Sequence, residues 1–484
     1  MKTNVLFLLV DGFRADKCFG DKKTSITPNI DSLIQNGTYF EQAISSGQGT
    51  IPCVASIFTS LYPFECLVED GNLFKLNSNI QSHVKHLRDS GFDTHATFQE
   101  VMHYVGMQEM FVNVDPYPIS LNLWGGKGEK IIDKLSSKSM NEPWVYYLHL
   151  YDLHMLGYPY EKRLEVGPQE IHDEKFGSNH YERIISAIDV WLGKILEKID
   201  LEKTLIVLTA DHGIEHGAYT PEMWDLHNQS RETRKQSDIS NPNTSAFKLG
   251  HKIATNAPGF LSPLRKKLAG MYTDRADKKS RKEVLSGVEE KIKNKKLSPY
   301  EERLMKECGM HIAHVYDDRV RVPLIFSGPN VPSGKVIKQQ VRSIDIFPTI
   351  ADLVGLTEKT KSHGISLVPL LKGEKLEERP VFMETAVNTS KSLSSNTIGV
   401  RTSEYKYFRD RDVETKNIHL YDLKNDPLEE KNIYKEKPDV TKNMELELSK
   451  ILNEQKITFE KSENTITDDE REQAITKLRK LGYI

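Results

Sequence analysis

Residues 4–16 read NVLFLLVDGFRAD, an apolar run that ends on an acid, Asp11. Residues 204–213, TLIVLTADHG, repeat the design and end on Asp211 and His212. Continuous Val/Ile/Leu runs of this kind predict strands buried on both faces, as in parallel sheets. Acids at the carboxyl ends of such strands lie where open α/β sheets put their chemistry. Further runs at Trp144–Leu150 and Val322–Phe326 predict strands of the same kind. Helical patterns separate them. TPNIDSLIQNG (27–37) offers Thr27 as N-cap, Pro28 at the first helical position and Gly37 as the stop. Residues Tyr181–Ile199 carry Ile184, Ile185, Ile188, Trp191, Leu192, Ile195 and Leu196 at helical spacing. Strands alternating with helices predict an α/β fold, with a mixed, mostly parallel sheet sandwiched by helices.

The chain has 484 residues, enough for one large domain with an attachment. A net charge of −3 supplies no global field toward nucleic acid or an anionic membrane, so no nucleic-acid partner is expected. No apolar stretch is long enough to predict a membrane span. The four cysteines, Cys18, Cys53, Cys66 and Cys308, show no paired spacing, which predicts reduced thiols and a cytoplasmic location. The opening MKTNVLFLLVDG has too short an apolar run and no small-residue cleavage site, so it reads as a first strand, not a secretory signal.

Residues 1–375 form the expected catalytic region. It is interrupted at 218–309 by a segment that is first polar, then basic, ending in KNKK at 293–296. A segment this long next to active-site elements reads as a functional excursion, or as a solvated helical one. Residues 376–484 shift to shorter extended pieces, IGVRTSEYKYFRD and NIHLYDLKNDP, and predict a small C-terminal α+β subdomain. Thr467 and Glu470 form a capping box that opens a terminal helix.

The chemistry gathers around Thr50 in GTIPCVASIFTSLYP (49–63). Asp11, Thr50, Asp211 and His212 together offer two carboxylates, a hydroxyl and an imidazole, a ligand set for a divalent cation. A hydroxyl beside such an ion is an activated nucleophile. A helix from Pro52 onward would turn its first amides toward an anionic oxygen. The plainer readings are a turn cap for Asp11 and an N-cap for Thr50. HLYDLHMLGYPY (149–160) adds Asp152 and His154, and HIAHVYDDRVRVPLIF (311–326) adds His311 and His314. Histidines there could bind the cation, hold a substrate anion or protonate a leaving group. Asp152 and His314 rank second, since lone polar residues are more often structural.

These motifs, in this order, resemble the sulfatase branch of the alkaline phosphatase superfamily along nearly the whole chain. The matching pieces include VDGFRADKCFG, TPNIDSLIQNGTYF, TIPCVASIFTSLYP, LHLYDLHMLGYPY, LTADHG, HVYDDRVRVPLIFSGP, SIDIFPTIADLVGL, HGISLVPLLKG and LYDLKNDPLEEKN. The resemblance implies the superfamily's α/β core and ester hydrolysis or transfer. By position it gives Asp11, Asp211 and His212 to the metal, Thr50 to the metal and nucleophilic attack, and His154 and His311 to the substrate anion or leaving group. The family's sulfatases carry CxPxR or SxPxR, whose first residue becomes formylglycine. Here Thr50 and Val54 hold the first and last of those positions, and Gly12 follows Asp11 where a second acid is usual.

The expectation is therefore a metal-dependent hydrolase of phosphoric esters with a threonine nucleophile, using manganese or zinc before calcium or magnesium, with a second metal left open. The alternatives are a sulfatase without formylglycine, a transferase of phosphoryl headgroups to a glycan, and a non-catalytic metal-binding scaffold. The expected partner is a small or glycan-linked anionic ester.

Overall fold

The computed structural model describes residues 3–70, 73–118, 120–137, 139–154, 171, 173–229, 285–293, 295–310, 314–356, 361–385, 396–453 and 457. His311 and the expected terminal helix from Thr467 lie outside the described residues.

The first strands are β1 (Asn4–Val10), β2 (Gly37–Ile44) and β3 (Gly47–Gln48), followed by the hairpin β4 (Leu67–Asp70) and β5 (Leu73–Leu76). Then come β6 (Asp93–Gln99), β7 (Asn113–Tyr117), β8 (Trp144–Leu150) and β9 (Thr204–Thr209). The large sheet is completed by β10 (Arg321–Val322), β11 (Leu324–Ser327) and β12 (Lys335–Arg342). Its order is β10-β2-β11-β9-β1-β8-β6-β7, with β12 paired to β2. Strand β1 sits between β8 and β9, parallel to both, with Leu9 level with His149 and Thr209. All three strands are buried along their full length, as their unbroken apolar runs require.

The fourth expected strand departs from expectation. Pro323 splits residues 322–326 between β10 and β11, and both run antiparallel to β2. Strand β11 is antiparallel to β9 as well. Apolarity reported burial there but carried no information on direction. Because β6, β7, β8, β1 and β9 are mutually parallel and β12 is parallel to β2, the sheet stays mostly parallel.

Helix Pro28–Gln35 opens at Thr27 and Pro28 as predicted, but the Thr27 side chain makes no capping bond and instead donates to Asp31 Oδ1. Helix His180–Leu196 packs against it. The Asp189 carboxylate accepts from the Asn29 and Ile30 amides, so a side chain from one helix caps the start of the other.

A second sheet has the order β16-β15-β14-β13-β3. Its members are β13 (Val381–Thr385), β14 (Thr397–Arg401), β15 (Tyr405–Asp410) and β16 (His419–Asp422), with helix Pro438–Asn453 packed on it through Met444, Leu448 and Ile451. Residues after 376 do not close this sheet alone. Its edge is β3, parallel to β13, with Gly47 level with Glu384 and Gln48 with Thr385. A Cβ at Gly47 would stand 2.1 Å from the Glu384 carbonyl oxygen, so only glycine fits.

Charge ties the two sheets together. The Asp317 carboxylate takes the Arg401 guanidinium at 2.9 and 2.8 Å and the Lys406 ammonium at 2.5 Å. Lys406, fully buried, also meets Glu429 at 2.8 Å, and Arg401 reaches Gln42 on β2 and Gln340 on β12.

Residues 218–313 and 387–396 form a separate compact unit. Its described part is a small core of Tyr219, Met223, Leu226, Val288, Leu304, Met305 and Cys308 under helix Pro299–Met310.

Candidate active site

Strand β1 delivers Asp11 one residue past its end, and the Asp11 amide donates to the Leu150 carbonyl of β8. The chain then turns at Gly12, whose amide donates to Asp211 Oδ1 at 3.3 Å. Asp211 stands two residues past the end of β9, and its Oδ1 also accepts the His212 amide at 2.9 Å. The two carboxylates are fully buried side by side. Among the described residues neither pairs with a lysine or arginine.

Thr50 enters from the other sheet. Strand β3 hands the chain to Gly49, which takes φ +110°, and helix Thr50–Thr59 begins at once. Thr50 is thus the first helical residue and not the N-cap, a place Gly49 holds. Its Oγ1 donates to Asp11 Oδ2 at 3.0 Å and lies 3.5 Å from His212 Nε2. The four residues expected to form the site converge.

The proton positions follow from their partners. His212 Nδ1 lies 2.9 Å from the Gly213 carbonyl oxygen, which can only accept, so Nδ1 carries the hydrogen. Nε2 then presents a lone pair 3.8 Å from Asp11 Oδ1 and 3.5 Å from Asp211 Oδ2. Neither of those carboxylate oxygens has a hydrogen-bond partner among the described residues. Electron pairs from two anions and an imidazole facing one another with no proton between them suit a cation. A buried carboxylate pair without one costs several kcal/mol, on the order of the desolvation penalty for each ion.

Titration reflects the same crowding. Burial and the Asp11 charge raise the Asp211 carboxyl above its ordinary value. Burial pushes Asp11 the same way, but the charges of His154 and His212 and the His149 hydrogen bond hold it well below the usual range. Burial would lower His212, yet Asp211 and Asp11 raise it, so a proton on this ring can stand in for the cation's charge.

Two further histidines border the site. His154 stacks on Tyr151, whose hydroxyl lies 2.7 Å from His154 Nδ1, and its ring lies 6.3 Å from that of His212. Burial lowers His154 against the pull of Asp11, and the charge of His212 adds to the lowering. Sequence reasoning missed the second, His149 on β8, whose Nε2 is 3.2 Å from Asp11 Oδ2. Ligand atoms of Asp11, His154 and His212, and of Asp11, His149 and Asp211, lie within 4.8 Å of one another. A histidine inside the apolar run WVYYLHL was the signal that could have found it.

The second-ranked residues resolve differently. Asp152 is a structural partner: it accepts the Leu123 amide at 2.7 Å and the buried Lys127 ammonium at 2.6 Å, which anchors the start of helix Lys127–Ser136. The His314 amide donates to Gln48 Oε1 at 2.8 Å, two residues before Thr50. Cys53 is fully buried one turn along the helix from Thr50, and burial pushes its thiol well above the ordinary value.

The family model described as Sulfatase matches residues 3–356, and one described as N-sulphoglucosamine sulphohydrolase, C-terminal, matches 310–457. Arylsulfatase K of Mus musculus is 28% identical over 167 residues, 33% of this chain and 30% of that protein. The delta 4,5-hexuronate-2-O-sulfatase of Bacteroides thetaiotaomicron is 33% identical over 125 residues, 25% of this chain and 26% of that protein. The matched stretches thus span less than a third of either relative.

Among solved structures, a protein in complex with its substrate D-glucosamine-2-N,6-O-disulfate aligns with a TM-score of 0.61 at 15% identity, covering 93% of this chain and 97% of its own. The phosphonate monoester hydrolase of Agrobacterium radiobacter aligns with a TM-score of 0.59 at 15% identity, covering 94% and 96%. With its α/β core shared with these solved structures and a family model spanning most of its length, the chain belongs to the sulfatase family.

Proposed function

We infer that the chain hydrolyses sulfuric esters of small or glycan-linked anionic substrates at a divalent cation held by Asp11, Asp211 and His212. The names of both curated relatives support the sulfuric ester over the phosphoric ester expected first. The observation that carries the reading is the convergence of Thr50 Oγ1 with the unpartnered oxygens of Asp11 and Asp211 and the lone pair of His212. Manganese or zinc suits this mixed oxygen and nitrogen set. When bound, the cation would lower the pKa of a neighbouring hydroxyl and draw charge from the transferring group.

The residues divide the work. Thr50 Oγ1 attacks sulfur as the bond to the leaving oxygen breaks, and Asp11 Oδ2 is the acceptor in place for its proton. The first amides of helix Thr50–Thr59 face the charge that builds on the non-bridging oxygens. His154, accepting the Tyr151 hydroxyl at Nδ1, offers Nε2–H to the substrate anion. The leaving alkoxide must gain a proton, for which His154 Nε2–H is a donor, and water then cleaves the ester on Thr50.

A phosphoric ester is the second reading, and Thr50 itself favours it. An aldehyde hydrate keeps a second hydroxyl that can expel sulfate, whereas a threonine ester must be cleaved by water at the central atom. Rates on p-nitrophenyl sulfate, p-nitrophenyl phosphate and its phenyl diester, with manganese and after chelation, decide between the readings. The sulfuric reading expects the sulfate to be turned over fastest. Turnover of the phosphates alone would replace it, and full activity after chelation would end both.

A further inference from the structure

Tyr147, His149 and Asp11 form a buried row that runs from inside the large sheet to the site. Tyr147 and His149 are two residues apart on β8, so their side chains share one face. Leu9 is level with His149 across β1, and Asp11, two residues beyond Leu9, falls on that face too. The Tyr147 hydroxyl lies 3.0 Å from His149 Nδ1, and His149 Nε2 lies 3.2 Å from Asp11 Oδ2.

The direction of both bonds is determined. Asp11 Oδ2 already accepts the Thr50 hydroxyl and is the acceptor for His149 as well, so His149 Nε2 donates and Nδ1 is left to accept from Tyr147. Burial beside Asp211 and Asp11 raises the Tyr147 phenol well above its ordinary value, which keeps its hydrogen in place. The row is rigid. The Tyr147 ring packs edge-on to Phe58 at 4.9 Å and stacks on Phe111 at 5.9 Å, and the His149 carbonyl accepts the Tyr117 hydroxyl.

We propose that His149, oriented by Tyr147, is the positioning residue of the site: by occupying Asp11 Oδ2 it turns Asp11 Oδ1 toward His212 and Asp211 and fixes the acceptor of the Thr50 hydroxyl. A histidine that merely filled the core would satisfy its ring on backbone or solvent. This one spends both nitrogens on a chain that ends at the carboxylate beside the nucleophile. The inference rests on the metal-dependent reading given above.

The test uses the full-length protein, stripped with chelator and titrated with manganese by calorimetry. The variants are His149→Phe, His149→Gln and Tyr147→Phe, with Asp211→Asn and Thr50→Ala as controls. Outer partners of ligands typically carry about 10- to 100-fold in metal affinity or activity. His149→Phe is expected to lose that much manganese affinity and to lose kcat with little change in KM. His149→Gln, whose amide nitrogen can donate from nearly the same point, should recover most of both. Tyr147→Phe, which keeps the packed ring, should lose severalfold.

Wild-type manganese affinity in a folded His149→Phe protein would overturn the proposal, as would a folded His149→Gln that rescues nothing. If His149→Phe does not fold, an unchanged affinity in Tyr147→Phe does the same. Loss of a nitrogen coupling from the manganese electron-spin-echo spectrum of His149→Phe would make His149 a ligand instead and also overturn it. Undiminished turnover in Thr50→Ala defeats the nucleophile assignment alone, since the manganese titrations still decide the role of His149.

Discussion

Asp317 is half-buried and the Asp11–Asp211 pair fully buried, and the molecule treats these aspartates in opposite ways. Asp317 is surrounded by donors: Arg401 grips both oxygens and Lys406 adds a third contact. Asp11 and Asp211 each leave one oxygen without a hydrogen-bond partner among the described residues, and both of those oxygens face the same imidazole. The first arrangement holds two sheets together. The second stores unfavourable electrostatics that a cation would relieve under the proposed function, so full satisfaction marks structure and aligned dissatisfaction marks the candidate site.

The contrast can be broken most sharply at Thr50, the proposed nucleophile. Thr50→Ala should cut turnover by about a thousandfold or more, as loss of a nucleophile does elsewhere. It should move stability by only about 1 kcal/mol, the scale of a hydroxyl at a helix start. Steady-state kinetics and thermal melts check both halves, and near wild-type rates would remove Thr50 from its role. Asp211→Asn comes next. It removes a direct ligand and one of two crowded charges, so manganese affinity should fall by more than the roughly 100-fold that marks the upper range for outer partners, while the chelated protein melts higher than wild type. A lower melting temperature would mean the pair is structural after all.

Asp317→Asn should do the reverse. Metal binding stays unchanged, and stability drops by about 3 kcal/mol, the lower end for breaking a buried pair, because Lys406 keeps Glu429. Chemical denaturation measures it, and no loss would show the network to be dispensable.

Acid should expose the same asymmetry more gently. Burial pushes His83 down to about 3, and burial with the charge of His314 pushes His419 down to about 4, so the fold holds both rings neutral. Their unfolded values lie near 6.5, so unfolding takes up protons and stability declines as pH falls from there. Burial opposes ionisation of Asp317, but Arg401 and Lys406 hold it far below its ordinary 3.8. Its contribution is present above that value and is lost as pH falls below it, which makes the acid limb steeper under about pH 4. Urea midpoints of the chelated protein across this range test the two stages. The smallest expected effect is none at all: intact mass should show Cys53 and Thr50 unmodified, and an aldehyde mass at either would reopen formylglycine chemistry.

What could be read from the sequence was whatever is local. An apolar run followed by an acid located Asp11 and Asp211, because a strand and the residue just past it are neighbours in the chain. Asp152 has the same local signature, and its true partner, Lys127, comes from a helix start 25 residues upstream, where no local rule reaches. His149 was hidden because β8 is buried on both faces, so alternation vanishes and a polar side chain within it has no face to report. The reversal of β11 was hidden because burial does not encode direction. The second sheet's edge was least visible of all, since Gly47 and Glu384 meet across most of the chain.

That last pairing reaches into how the protein is made. The two residues of β3 stand immediately before Gly49 and Thr50, and their parallel partner β13 ends at Thr385. During synthesis the strands that carry Asp11 and Asp211 emerge long before β13 does. The segment bearing Thr50 therefore lacks its β13 partner until residue 385 has been translated. A product that ends ahead of β13 can assemble the acids yet leaves β3 without this strand partner, so the approach to Thr50 is braced only after β13 has emerged.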